Sequence, residues 1–165
     1  MTDELTGLSN RRSFRESLDT ELLRAERFGN GLALIFADLD DFKDVNDQFG
    51  HQAGDEVLRA FAEVLSGRIR GIDQAARLGG EEFAILLPET DALGAEALAE
   101  NLRLAIAELA VTVGEVEIHI TASFGVAAFP ESRSADELMT AADLALYSAK
   151  RHGKDRVVTV NPDTP

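Results

Sequence analysis

The run Leu32-Ala33-Leu34-Ile35-Phe36-Ala37 carries no polar side chain, and it stops abruptly at Asp38-Leu39-Asp40-Asp41. A continuous apolar run of this length predicts a buried central strand. The acids that follow are too polar to continue into a core, so the strand must end at the surface. Helical patterns flank it. From Asn10 to Phe28, residues Phe14, Leu18, Leu22 and Ala25 recur at helical spacing, and Gly29-Asn30-Gly31 breaks the pattern. A short helix is expected over Phe42 to Phe49, then a loop at Gly50-His51-Gln52-Ala53-Gly54. The next helix carries Val57, Leu58, Phe61, Val64 and Leu65 on one face. Gln74 to Leu78 is expected to be extended. Gly79-Gly80 is a hairpin signal, and Phe83 to Leu87 is an apolar strand that Pro88 ends.

Thr90-Asp91 suits a helix start, with Leu98, Leu102, Ala105, Ile106 and Leu109 as the buried stripe. Glu115 to Ala127 reads as one or two strands, in which Ile118, Ile120, Ala122 and Phe124 alternate. Ser134-Ala135-Asp136-Glu137 is a capping box that opens a last helix with Leu138, Ala141, Ala142, Ala145 and Ala149 inward. Gly153 ends this helix, Arg156 to Val160 makes a final strand, and residues 161–165 read as a frayed tail. The order α-β-α-α-β-β-α-β-α-β predicts an α+β fold with a central, mostly antiparallel sheet of about five strands flanked by helices.

Thirty Asp and Glu against sixteen Lys and Arg give a net charge of -14, which argues against non-specific nucleic-acid binding. Such a chain can still hold a polyphosphate when divalent cations lie between carboxylates and phosphate oxygens. There are no cysteines, so disulfides and thiolate metal sites are excluded. No apolar run approaches the ~18 residues of a membrane-crossing helix, and no signal peptide opens the chain. A cytoplasmic domain is expected, with membrane attachment of a longer protein left open.

Position singles out a few of the many acids. Asp38 and Asp40 follow a strand, and Glu81 and Glu82 lie at the tip of the expected hairpin. A central strand beside that hairpin would bring Asp38 towards Glu81 and Glu82. Converging carboxylates call for a cation, and oxygen-only ligands point to Mg²⁺ or Mn²⁺. The plain alternative is a turn aspartate and a solvated Glu-Glu pair.

Arg77-Leu78-Gly79-Gly80-Glu81-Glu82-Phe83 resembles the signature of the GGDEF family, the diguanylate cyclases, in its GGEEF form. Four further stretches are similar to family motifs in the expected order: Asp3 to Arg12, Asp38-Leu39-Asp40-Asp41-Phe42-Lys43-Asp44-Val45-Asn46-Asp47, Gly50-His51-Gln52-Ala53-Gly54-Asp55, and Ala149 to Arg156. The resemblance implies one catalytic domain over residues 1–160 with a palm-like, nucleotidyl-cyclase-like fold around a ferredoxin-like core. It implies that two GTP molecules become cyclic di-GMP and two pyrophosphates, each 3′-hydroxyl attacking the other nucleotide's α-phosphate beside two Mg²⁺ or Mn²⁺ ions. By resemblance, Asp38 and Glu81 are metal carboxylates, Leu39 offers its carbonyl, and Glu82 lies near the metals. Glu81 also helps deprotonate the 3′-hydroxyl. Asn46 and Asp55 correspond to the guanine-reading pair, Phe42 packs beside the base, and Lys43, Lys150 and Lys154 neutralise phosphates. Lys154 stands where the family more often has Arg, which keeps charge and loses bidentate binding. Gly79 and Gly80 let the turn approach the nucleotide. On residue type alone, Asn46-Asp47 would equally serve as a helix or turn cap. Arg11 and Arg12, at a helix start where positive charge is disfavoured, suggest a structural partner elsewhere.

Arg70-Gly71-Ile72-Asp73, just before the turn, resembles the family's inhibitory product site, with Arg70 and Asp73 as guanine or phosphate contacts. A local ion pair is the plain alternative. The resemblance further implies an active homodimer, because one domain holds one GTP. No coiled coil or receiver pattern accompanies the motifs, which suggests a catalytic piece of a longer regulator. Two rivals are a non-catalytic receptor for GTP or cyclic di-GMP and a cyclase with another product.

Overall fold

Residues 1–160 are described in a computed structural model; the tail expected over residues 161–165 lies outside them. The elements are α1 (Arg11–Phe28), β1 (Leu32–Leu39), α2 (Phe42–Phe49), α3 (His51–Gly67), β2 (Gln74–Gly79) and β3 (Glu82–Pro88), followed by α4 (Ala92–Glu108), β4 (Val111–Val113), β5 (Val116–Ile118), β6 (Ala122–Phe129), α5 (Ala135–Arg151) and β7 (Val157–Thr159). Five strands form one sheet in the order β2-β3-β1-β6-β7, with β4 and β5 as a separate hairpin. All neighbours in the main sheet are antiparallel except β6 and β7. This is the expected α+β architecture.

The apolar run of β1 explains the centre. Ala33, Ile35, Ala37 and Leu39 face a core shared with α2, α3 and α4, where Val57, Phe61, Leu65, Leu102 and Ile106 are buried. Leu32, Leu34 and Phe36 face a second core with Phe14, Leu18 and Leu22 of α1 and Leu138, Ala142 and Leu146 of α5. Period-two alternation thus places each residue of β1 against one of two helical layers. On the first face Phe61 and Phe83 pack with ring centroids 4.7 Å apart.

Three local expectations change. The loop expected at Gly50–Gly54 shrinks to Gly50 (φ 92), and α3 begins at His51. One glycine in the left-handed region suffices to turn the chain between two helices. Buried Ala53 and Gly54 then complete the first turn of α3, with Gly54 N–H donating to the Gly50 carbonyl at 3.1 Å. The strands expected over Glu115–Ala127 divide at residues 119–121. Val116–Ile118 pairs back on Val111–Val113 around Gly114 (φ 62), whereas β6 is buried along its whole length. The stripe of α4 is Ala95, Ala99, Leu102 and Ile106; Leu98, Ala105 and Leu109 are half-buried at its margin. Among the described residues no helix is long and apolar enough to cross a membrane.

Candidate active site

The C-terminal end of β1 and the β2–β3 turn meet at one edge of the sheet. The β1–β3 register sets Asp38 opposite Glu82, and Leu39 N–H donates to the Glu81 carbonyl at 3.4 Å. Glu82 therefore opens β3, and Glu81 stands in the turn itself. Gly79 (φ 151) and Gly80 (φ 51) take conformations open to glycine, with a bulge between Arg77 and Gly79. Arg77 ties the turn down: its Nε donates to the Gly80 carbonyl at 2.9 Å, and it reaches both oxygens of Asp3 at 3.3 Å. Asp3 is fixed in turn by Thr6, whose N–H and hydroxyl donate to it at 2.9 and 2.7 Å. The partner expected for Arg11 is the Leu78 carbonyl, 3.3 Å from its Nε, while Arg12 pairs with Glu16 one turn along α1.

Opposed carboxylates at Asp38 and Glu82 repel unless a cation intervenes. Burial pushes the Asp38 carboxyl up to about 6, with Lys150 opposing the rise and Glu81 and Glu82 adding to it. Lys150, carried by the last turn of α5, supplies a cation on the Asp38 side of the Asp38–Glu82 pair. Its ammonium lies 3.2 Å from Asp38 Oδ1, 3.3 Å from the Leu39 carbonyl and 2.9 Å from Asp40 Oδ1. Among the described residues no three His, Cys, Asp or Glu side chains converge tightly enough to hold a metal by themselves. The acceptors around the ammonium are all oxygens, from two carboxylates and the Asp38 and Leu39 backbone carbonyls, and an all-oxygen set of this kind suits a hard divalent cation.

Asp40 is marked by the sequence only as an acid at a strand end and is given no role of its own. It is 4% exposed and accepts hydrogen bonds from Thr121 Oγ1 and Ser123 Oγ at 2.7 Å, Lys150 at 2.9 Å and the Asp155 N–H at 3.0 Å. Burial alone would raise its carboxyl. The hydroxyls of Thr121 and Ser123, with Lys150, outweigh that and hold it below the usual carboxylate range. Its signal in the sequence was Ser123, a lone hydroxyl inside the apolar run Ala122–Phe129. Around Asp40 the backbone is strained: Asp41 (φ 55), Lys154 (φ 63) and Asp155 (φ 46) are all left-handed. Lys154 forms an ion pair with Asp41.

Next to this edge, α2 starts at Asp41 without a side-chain cap, so its first N–H groups are available to an anion. Phe42 is buried, Lys43 is exposed, and Asn46 and Asp55 are half-buried. Asn46 caps nothing with its side chain: the N-cap of α3 is Gly50, with no side-chain hydrogen bond. Asp38, Leu39, Gly79, Gly80, Glu81, Glu82 and Lys150 thus meet at the strand end, Lys154 joins them through Asp41, Phe42 and Lys43 follow in the first turn of α2, and Asn46 lies against Gly54 of α3, one residue before Asp55.

Arg70 and Asp73 lie at the opposite end of the β2–β3 hairpin. They are paired, with Arg70 Nε and Nη2 3.0 and 2.8 Å from the two Asp73 oxygens, and Arg70 Nη2 also reaches the Pro88 carbonyl and Thr90 Oγ1. Arg70 is half exposed and Asp73 buried, and both line a cleft of about 630 Å³ with Arg68, Thr90, Asp91 and Gly94. The guanidinium is held in place at the mouth of a cleft large enough for a nucleobase.

Comparison with known proteins bears on this geometry. The family profile described as "Diguanylate cyclase, GGDEF domain" matches residues 1–156. Diguanylate cyclase DgcP of Pseudomonas aeruginosa is 45% identical over 157 residues, covering 95% of this chain and 23% of that protein. Response regulator PleD of Caulobacter vibrioides is 40% identical, covering 96% of this chain and 36% of its own length. The chain thus spans well under half of these relatives. Among solved structures, the GGDEF domain of DgcB from Caulobacter crescentus in complex with c-di-GMP superposes with a TM-score of 0.92 at 37% identity, covering 96% of this chain and 92% of that one. The active GGEEF domain of a diguanylate cyclase from Vibrio cholerae gives 0.85 at 36% identity, covering 91% and 96%. With a profile matched over nearly its whole length and relatives at this identity, the chain belongs to the GGDEF family of diguanylate cyclase domains.

Proposed function

We propose that this chain condenses two GTP molecules into cyclic di-GMP and two pyrophosphates, working as a two-fold dimer. The observation that carries the reading is the strand end at which Asp38 and the Leu39 carbonyl hold the ammonium of Lys150, with the Glu81–Glu82 turn paired against the same stretch of β1. Asp38, the Leu39 carbonyl, Glu81 and Glu82 are the groups that would hold Mg²⁺ or Mn²⁺, with phosphate oxygens completing the coordination. When bound, such ions supply charge stabilisation at the α-phosphate and at the departing pyrophosphate.

The chain's own residues do the rest. Asp55 accepts from the guanine N1–H and amino group while the Asn46 amide pairs with the base edge, so adenine leaves both groups unmatched. Phe42 supports the base. Lys43 and Lys154 neutralise phosphate charge, and the uncapped N–H groups of α2 add an anion site. Lys150, which lies on Asp38, the Leu39 carbonyl and Asp40, is the ammonium that would neutralise phosphate oxygens beside those groups. Glu81 accepts the proton of the 3′-hydroxyl as that oxygen attacks the α-phosphate of the facing nucleotide. Gly79 and Gly80 let that nucleotide come against the turn backbone. One copy offers one such edge and two bonds must form, so a second copy faces it.

The test is incubation with GTP and Mg²⁺ or Mn²⁺, with products identified by mass. Cyclic di-GMP is the expected product, and Glu81→Gln is expected to lower turnover by at least ~10² while leaving thermal unfolding unchanged. No cyclic di-GMP from a chain held as a dimer would overturn the reading. Product feedback is assigned to Arg70 and Asp73 on the strength of the cleft they line. Arg70→Ala is expected to raise the cyclic di-GMP concentration needed for half-inhibition by ~10-fold or more, as loss of a charged hydrogen-bond donor to guanine or phosphate should. Unchanged inhibition refutes the assignment.

A further inference from the structure

Gly54 sits in the first turn of α3, buried, with its N–H already committed to the Gly50 carbonyl at 3.1 Å. Its backbone is helical and not left-handed, unlike Gly50 (φ 92), so no unusual dihedral calls for glycine here. Alanine is the better helix former, and a glycine inside a helix works against the local structure. Such a conflict points to a constraint from elsewhere. The constraint is space. A Cβ on residue 54 would lie 1.9 Å from Asn46 Oδ1, 3.0 Å from Asn46 Cγ and 3.1 Å from Phe42 Cζ. The first distance is far inside any non-bonded contact, and the Asn46 carboxamide therefore rests directly on the bare Cα of Gly54.

We propose that Gly54 is a positioning residue for nucleobase recognition: the missing side chain is the seat in which the Asn46 amide is held beside Asp55. The inference rests on the reading of Asn46 and Asp55 as guanine contacts. Asp55 is the next residue on the same helical turn, so the contact sets where the Asn46 amide presents itself relative to Asp55. Alanine at 54 would turn the amide out of this seat and press on the edge of the Phe42 ring. Guanine would lose its partner, while the phosphate-binding side chains Lys43 of α2 and Lys150 of α5 would stay where they are.

The experiment measures binding of GTP and of ATP to the whole chain by calorimetry, for wild type, Gly54→Ala, Asn46→Ala and the double variant, with thermal unfolding of each. Gly54→Ala is expected to weaken GTP binding by about tenfold and ATP binding little, shrinking the preference for guanine. In the Asn46→Ala background the same substitution is expected to change GTP affinity by no more than about twofold to threefold, since the severe clash is gone and only the 3.1 Å approach to Phe42 Cζ is left. Wild-type GTP affinity in Gly54→Ala overturns the proposal. So does equal weakening of GTP and ATP, or a loss that persists in full without Asn46. Should Gly54→Ala lower the melting temperature instead, Asn46→Ala in the same chain is expected to restore it, and failure to do so overturns the contact. A wild-type chain that binds neither nucleotide refutes the guanine reading, and the unfolding comparison still reports separately on the seat.

Discussion

Asp40 illustrates how one carboxylate can organise a site without taking part in its chemistry. Its two oxygens accept from two hydroxyls, one ammonium and one backbone N–H, drawn from Thr121 just ahead of β6, from β6 itself, from α5 and from the loop before β7. Removing the carboxylate would strip the Thr121 and Ser123 hydroxyls and the Asp155 N–H of this partner, while Lys150 would keep only Asp38 and the Leu39 carbonyl. Asp40→Ala is therefore expected to destabilise the chain by roughly 3 kcal/mol at neutral pH. For a domain of this size that lowers the melting temperature by about 6–12 °C. The sign with pH follows from the depressed carboxyl. Its stabilisation is present in full above the ordinary carboxylate value near 4 and is lost as pH falls below that, towards the native pKa. Wild type should lose stability through this acidic window faster than Asp40→Ala. Urea midpoints measured across pH check both claims, and parallel curves for the two proteins would refute the role given to Asp40.

At the scale of elements, α5 is the part whose placement matters most, because it carries Lys150. It lies so close to β6 that a Cβ on Gly125 would stand 2.3 Å from the Ala142 carbonyl and 2.3 Å from the Leu146 nitrogen. Both neighbours are backbone, so the helix must move as a body. Gly125→Ala is expected to cost about 3 kcal/mol, at the upper end for overpacking. It should also draw Lys150 off the Asp38–Asp40 cluster, so that activity falls further than stability alone would explain; activity and melting temperature measured together check this. Much of the element plan was legible beforehand, since α1, β1, β3 and the capping box of α5 follow from periodicity and punctuation. The start of α3 was not, because Gly50 breaks the chain alone and the small residues after it carry no strong local preference. The β4–β5 hairpin was hidden by its brevity. In the site, the approach of Asp38 to the Glu81–Glu82 turn was readable from strand ends. The seating of Lys150 on Asp38, Leu39 and Asp40 was not, for it joins residues more than 100 positions apart that no local pattern connects.

The molecule as a whole presents its proposed catalytic edge and its Arg70–Asp73 cleft at opposite ends of the β2–β3 hairpin. A ligand in the cleft would have two routes to influence turnover: through the hairpin, or through the approach of a second copy. The net charge of -14 bears on that approach, because two identical acidic chains repel across solution before any contact forms. Dimer formation by this chain alone should then be weak at low ionic strength and improve as salt shortens the range of the repulsion to ~8 Å at 0.15 M. If both active-site halves are needed, dilute protein works in the regime where the dimer population follows the square of concentration. Doubling the protein should raise the total rate about fourfold there, and about twofold once the dimer is saturated. Raising salt from low to physiological strength should move this change of slope to lower protein concentration. Fusion to a parallel coiled coil should abolish it. The measurement is initial rate against protein concentration at two salt levels, with sedimentation on the same samples. A rate strictly proportional to protein in samples that sediment as monomers would show that one chain completes the reaction by itself, and the two-copy reading would be lost.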